Sequence, residues 1–147
     1  MANMCSDGQV VIGRKLTEKR INISGGSSYE PIVGYSRAVI VGKTLYISGT
    51  TASSTGGPLH PDAGLQTKET LLIIRKVLEE NGSCIEDVVR TRMFVVDIGI
   101  NGKAVGESHG NVFSDTRPVS SMIGVAGLID TRMLVEIECE AIIGCGK

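Results

Sequence analysis

Glu136, Glu138 and Glu140 alternate with Val135, Ile137, Cys139, Ala141 and Ile143 near the C-terminal end of the sequence. Successive residues of a strand point to opposite faces, so this run projects three carboxylates one way and an apolar set the other. Carboxylates gathered on one face need water or cations. Arg90 and Arg92, alternating on an earlier segment, are the cations that could pair with them across neighbouring strands. Two arrangements satisfy the pattern. In one, the sheet has a face under helices and a face that is simply wet; in the other, the charged face meets further subunits and the carboxylates line a cleft.

The remaining chemistry-bearing residues are sparse. There are two histidines, His60 and His109, and four cysteines without any C-x-x-C pairing, so no metal site is expected. Cys139 lies within the apolar alternation and reads as a small buried hydrophobe. Cys5, Cys84 and Cys145 read as reduced thiols of a cytoplasmic protein. Arg14, Lys15, Lys19 and Arg20 are interrupted by Glu18 and read as a solvated segment rather than an anion site.

The elements that must position these groups follow from the hydrophobic pattern. Residues 1–28 read as a partly flexible N-terminal segment with a short strand at Arg20 to Ile23 and a loop from Ser24 to Ser28. Ala38 to Val41 and Thr44 to Ser48, joined by Gly42-Lys43, form a hairpin whose Gly-X order suits a type II′ turn. Ser53 to Pro61 reads as a loop. A helix starts near Asp62, whose carboxylate can cap the first turn. It carries Leu71, Ile74 and Leu78 on one face and stops at Asn81-Gly82. Val88 to Val96 is a strand, and a second helix runs from about Lys103 to Ser114. There Gly102, Gly106 and Gly110 make a small-residue stripe, at a cost in propensity of about 1 kcal/mol per glycine. Such a stripe is expected where the helix lies close to another backbone. Ser120 to Val125 and Leu134 to Ile143 complete the strands. One α+β domain spanning residues 1–147 is the expected organisation.

Composition removes whole classes of function. Fifteen Lys and Arg against sixteen Asp and Glu leave a net charge of -1, without the basic excess of a nucleic-acid binder. No apolar run approaches the ~20 residues that cross a bilayer. Met1 to Gly13 lacks the charged start and apolar stretch of a secretory signal. A cytoplasmic protein with neither nucleic-acid nor membrane partners is expected.

Several stretches together carry a resemblance: Gly34 to Val39, Leu45 to Thr50, Glu80 to Ser83, Asp87 to Asp97, Arg117-Pro118 through Gly124 to Leu128, and Val135 to Ala141. In this order and spacing the chain resembles the YjgF, or Rid (reactive intermediate deaminase), family. The resemblance implies a chorismate-mutase-like α+β fold, a mixed sheet with two helices packed on one face. It implies a homotrimer with small-molecule clefts between subunits and no metal or organic cofactor. Active members hydrolyse enamines and imines to 2-keto acids and ammonia.

Carried over by position, the resemblance places the family's cleft tyrosine at Tyr35, its strand-end serine at Ser48 and its water-positioning glutamate at Glu138. Gly49 would let a ligand approach the backbone. The family's arginine, two residues after the closing proline, is Ser120 here. A serine donates one hydrogen bond and cannot fork onto a carboxylate, a loss of roughly 2–5 kcal/mol at a buried site. Met122 takes the place of a cysteine and Gly106 that of an asparagine. His109 borders the implied cleft, and either it or Arg132 could supply a donor. Arg117 is expected to point away from that side. Three functions remain: hydrolysis of an imine or related C–N bond, with Ser120 in place of the carboxylate clamp; non-catalytic binding of a small metabolite in the same clefts; and, least supported, ribonuclease or translation inhibition.

Overall fold

The computed structural model describes residues 19–52 and 58–146. Cys5, Arg14, Lys15 and Glu18, and residues 53–57 of the expected loop, lie outside them.

The order is β1 (Arg20–Ile23), α1 (Glu30–Val33), β2 (Ala38–Val41), β3 (Thr44–Thr50), α2 (Ala63–Glu80), a 3-10 turn (Ile85–Asp87), β4 (Val88–Val96), α3 (Ile98–Phe113), β5 (Val119–Val125) and β6 (Val135–Ile142). They build one mixed sheet in the order β1-β2-β3-β6-β4-β5. Only β4 and β5 pair parallel, because α3 is the crossover between them. The β2–β3 turn has positive φ at Gly42 but not at Lys43, as a type II′ turn requires.

Alternation sorts the sheet. Leu45, Ile47, Met93, Val95, Val135, Ile137, Cys139 and Ala141 are buried beneath α2 and α3, together with Leu71, Ile74, Leu78, Val105 and Phe113 from the helices. The core is aliphatic apart from Phe113. Burial pushes the Cys139 thiol up to about 12, so it behaves there as a hydrophobe.

Asp62 caps α2 as expected, accepting from the Leu65 N–H at 2.8 Å, and Gly82 past the helix end has φ +75°. The second helix differs from expectation: α3 begins at Ile98, five residues before Lys103. Gly99, Asn101 and Gly102 give this first turn the composition of a loop. Local geometry overrides that propensity, since Asp97 is left-handed at φ +47° and the Asn101 side chain donates to the Val96 carbonyl at 2.8 Å. The helix is thereby turned directly off the end of β4.

The glycine stripe also has a different role. A Cβ at Gly102 or Gly106 would meet the Met122 side chain, and one at Gly110 would meet open space. These glycines make room for a methionine, not for a backbone. Close backbone approach occurs instead at Gly64 of α2, where a Cβ would meet the Ala104 carbonyl and the Ser108 hydroxyl. Ser108 donates to the Gly64 carbonyl at 2.9 Å, locking α3 to α2.

Asp87 fastens the C-terminal residues. It is 1% exposed, and its carboxylate accepts from Ser83 Oγ at 3.0 Å and from the Gly146 N–H at 2.9 Å. Burial alone would push this carboxyl up, but the backbone N–H groups of Gly144 and Gly146 and the Ser83 hydroxyl hold it at about 2. A carboxyl lowered from its unfolded value contributes stability above about pH 4 and loses it as pH falls toward the folded value. Replacing Asp87 by Asn should cost about 1–3 kcal/mol at pH 7, because buried donors lose an ionised acceptor. Denaturant unfolding at pH 7 and again near pH 2 checks this; the gap between variant and wild type should narrow in acid.

Candidate functional site

The face of the sheet away from the helices carries the charges. On β6 and β4, register sets Arg92 opposite Glu138, Arg90 opposite Glu140 and Phe94 opposite Glu136. Arg92 bridges two carboxylates, with Nη1 on Glu138 Oε2 at 2.9 Å and Nη2 on Glu140 Oε1 at 2.8 Å. Arg90 reaches Glu140 at 3.8 Å. The pairing expected from the sequence is present, and it holds Glu138 beside a cation. A shallow depression of about 280 Å3 lies here, lined among others by Ser36, Tyr46, Ser48, Arg92 and Glu138.

Ser48 sits at the irregularity between Ile47 and Thr50, where the β3–β6 register shifts. Its hydroxyl donates to the Arg37 carbonyl at 3.1 Å. Tyr35 follows the left-handed Gly34 and is exposed; it is its neighbour Ser36 that lines the depression. Tyr46, on the open face opposite Glu140, is the phenol that lines the depression instead. Its sequence signal was the β3 alternation.

Glu136, read from the sequence as one of three carboxylates on a strand face, is not singled out from them there. Its carboxylate lies against Gly49, where any Cβ would overlap Oε1 and Cδ. The close approach expected at Gly49 is therefore occupied by this side chain. Among the described residues Glu136 has no hydrogen-bond or ion-pair partner. Burial, and then the charge of Glu138, raise its carboxyl above the ordinary range, against a smaller opposing pull from Arg37. Two neighbouring carboxylates thus differ: Glu138 is paired with Arg92, whereas Glu136 is half-buried and unpaired.

The other expected residues lie on the helix side. Ser120 stands opposite Thr91 in the β4–β5 register, and Met122 opposite Met93. Thr91 Oγ1 donates to Ser120 Oγ at 2.9 Å and lies 2.9 Å from His109 Nε2. His109 packs against Phe113 with ring centroids 4.6 Å apart, and burial lowers its pKa. Gly106 lies over Met122. Within one chain, then, Ser48, Gly49 and Glu138 form one group, while Ser120, Met122, Gly106 and His109 form a second across the sheet.

Arg132 is turned into its own loop, donating to Asp130 at 3.0 and 2.7 Å. That loop is anchored by fully buried Gln66, which donates to the His60 and Arg132 carbonyls and accepts from the Leu134 N–H. Arg117, expected to point away, lines the same pocket as His109 because its φ of +49° folds it back over the end of α3. Among the described residues no group of His, Cys, Asp and Glu could hold a metal, and no helix is long and apolar enough to cross a membrane.

An α+β domain with a sheet covered by helices on one face and a paired carboxylate–guanidinium network on the other is the class these features define. The family model described as Endoribonuclease L-PSP matches residues 25–143, and the chain belongs to this family, also known as YjgF/Rid. A structure from Mycobacterium tuberculosis, Rv2704 of the YjgF/YER057c/UK114 family, is 42% identical with a TM-score of 0.76, covering 85% of this chain and all of that one. The RutC family protein UK114 of Drosophila melanogaster is 32% identical over 83% of this chain and 88% of its own length. A 2-iminobutanoate/2-iminopropanoate deaminase of Dermatophagoides farinae is 31% identical over 87% of this chain and 99% of its own.

A raised carboxyl in the fold is one whose ionised form the fold disfavours; the stability it contributes is present below its unfolded pKa and lost as pH rises through the folded one. Glu136→Gln should therefore leave the protein at least as stable as wild type at pH 7. Parallel thermal unfolding of both at pH 4 and pH 7 tests the sign, with the variant gaining relative stability at the higher pH.

Proposed function

We propose that this protein hydrolyses the C=N bond of a small imine or enamine, with Glu136 as the proton-transfer group. The observation that carries this reading is the unpaired, half-buried Glu136 laid over Gly49 beside the Arg92-held Glu138. A carboxyl that burial and a neighbouring negative charge raise toward neutrality is suited to exchange protons with a reacting water. Glu136 accepts a proton from an attacking water as the C–O bond forms. The nitrogen then gathers protons, the C–N bond breaks, and a carbonyl compound and ammonia leave. Glu138 keeps the local field negative, and Ser48 and Tyr46 offer hydroxyls to the ligand. The deaminase named among the relatives supports this class of reaction.

The assembly we propose is a homotrimer of cytoplasmic subunits joined through the open sheet faces. Val119 and Ile123, 64% and 38% exposed on that face of the edge strand β5, are the apolar surface such contacts would cover. The clefts between subunits would set the Glu136 group of one copy near the Ser120 group of another. No cofactor is needed for the reaction. Ser120 offers no charge, so the proposed substrate is one that does not depend on a forked carboxylate clamp. Sedimentation should give about three times 15.5 kDa, and Val119→Asp with Ile123→Asp should give single chains.

The decisive assay generates 2-iminopropionate and 2-iminobutyrate in place, alongside an uncharged imine, and follows their loss above the spontaneous rate. Glu136→Gln should lower kcat at least ~100-fold, the scale of a lost general acid–base group. Glu138→Gln removes the negative neighbour, so Glu136 should ionise more easily and the acid limb of the pH–rate profile should move down. A larger loss in Glu138→Gln than in Glu136→Gln would reverse the assignment. Binding of an imine analogue without any turnover would favour a metabolite-binding protein instead.

A further inference from the structure

An open pocket of about 360 Å3 lies at the C-terminal end of α3, lined by His109, Phe113, Arg117 and Pro118 among others. Behind it, His109 Nε2 touches Thr91 Oγ1 at 2.9 Å, and Thr91 Oγ1 donates to Ser120 Oγ at 2.9 Å. Thr91 is 0% exposed, whereas Ser120 lies exposed on the edge strand β5. A buried hydroxyl therefore bridges an imidazole that lines this pocket and a serine exposed at the sheet edge. We propose that His109, Thr91 and Ser120 form a proton-conducting chain, from water in this pocket to the Ser120 hydroxyl, that supplies a proton to the departing nitrogen. The proposal rests on the hydrolase reading above.

The polarity of the proposed chain follows from proton count. A threonine hydroxyl carries one hydrogen and can give it to either neighbour. The arrangement that leaves the Ser120 hydrogen for a ligand has Thr91 donating to Ser120 and the ring donating to Thr91 as Nε2–H. Ser120 keeps its own hydrogen for a ligand. Passing that hydrogen to nitrogen draws the Thr91 hydrogen onto Ser120 and the Nε2 hydrogen onto Thr91. A solvent proton enters at Nδ1, which has no partner among the described residues.

The imidazole ends neutral as its other tautomer, so no imidazolium forms in a site where burial disfavours one. Hydrolysis of an imine moves two protons from water oxygen to nitrogen. Glu136 takes from the oxygen, Ser120 gives to the nitrogen, and exchange with solvent restores both. The groups that meet His109 from its own helix and from β4, Phe113 and Thr91, are uncharged. Arg117 is the one charged side chain lining the pocket among the described residues, and it is engaged with the Ser114 carbonyl at 2.9 Å. The described chain thus sets no carboxylate in this pocket to fix the ring in one tautomer.

The test combines nitrogen NMR of the His109 ring with the imine assay. Thr91→Val removes the bridge at nearly constant shape, Thr91→Ser restores it, and Ser120→Ala removes the exposed end without touching the core. The wild-type ring should show the Nε2–H form. Thr91→Val should release it to a tautomer mixture, and Thr91→Ser should return it. Thr91→Val and Ser120→Ala should each lower kcat about tenfold or more with KM little changed, while Thr91→Ser stays near wild type. An active wild type whose rate and tautomer are both indifferent to Thr91→Val overturns the chain and leaves the hydrolase reading intact. A wild type with no imine turnover, despite a Thr91-dependent tautomer, overturns the proton supply together with that reading. Should Thr91→Val fail to fold, undiminished turnover in Ser120→Ala overturns the proposal by itself.

Discussion

The register between β4 and β6 is the constraint on which the rest depends. It sets Arg92 against Glu138 and Met93 against Ile137. A slip of one residue would turn the glutamates toward α2 and α3 and expose Val135, Ile137 and Cys139. The cost would fall on both sides, since each buried aliphatic side chain is worth roughly 1.5–3 kcal/mol and a buried unpaired carboxylate costs more. The same pairing therefore selects the core and decides which chemistry the open face can offer. At half-exposed positions the ion pairs themselves add little stability. Their consequence is local: Arg92 engages Glu138 and Glu140, and Glu136 has no ion pair among the described residues, with Arg37 exerting only a weaker pull on it.

The helix layer is held to the sheet by a few polar side chains inside an otherwise aliphatic core. Gln66 ties the start of α2 to two separate loops, through the His60 and Arg132 carbonyls and the Leu134 N–H. Ser108 fixes α3 against Gly64, and Asp87 gathers the C-terminal residues. Each is satisfied, which is what makes burial of such groups tolerable. Their positions explain why α3 can begin with a weak helical sequence. Its first turn is held by the Asn101 side chain bonding Val96 of β4, and its middle by Ser108 bonding Gly64 of α2.

Most of the strands were legible because alternation is a local property: β1, the β2–β3 hairpin, β4 and β6 lie where their patterns place them. The capped ends of α2 were legible for the same reason, from Asp62 and Gly82. What escaped were features that hydrophobic periodicity does not encode. The start of α3 is set by the left-handed Asp97 and the Asn101 bond to Val96, and the one-turn α1 by Pro31, the left-handed Gly34 and the bonds of Glu30 to Ser24 and Gly25. The role of the glycine stripe depends on Met122, distant in sequence. Arg117 is another case, because strand alternation does not govern a residue at φ +49°. Among the site residues, the three glutamates looked equivalent along the chain. Only the positions of Arg92 and Gly49 in space separate them.

That separation alters what Ser120 implies. A serine in place of an arginine removes a charge, and from sequence the change reads only as a loss. In the fold the Ser120 hydroxyl is the end of a hydrogen-bonded series through a fully buried threonine to a histidine. Arginine in that position could only donate, as a fixed cation. Serine both donates and accepts, so it can relay a proton where a guanidinium cannot. In the proposed reaction the open-face carboxylate takes protons and the helix-side hydroxyl returns them. Because the two lie on opposite sides of one sheet, that reaction requires them to come from two copies, which ties the proposed assembly to the chemistry as well as to the burial of Val119 and Ile123.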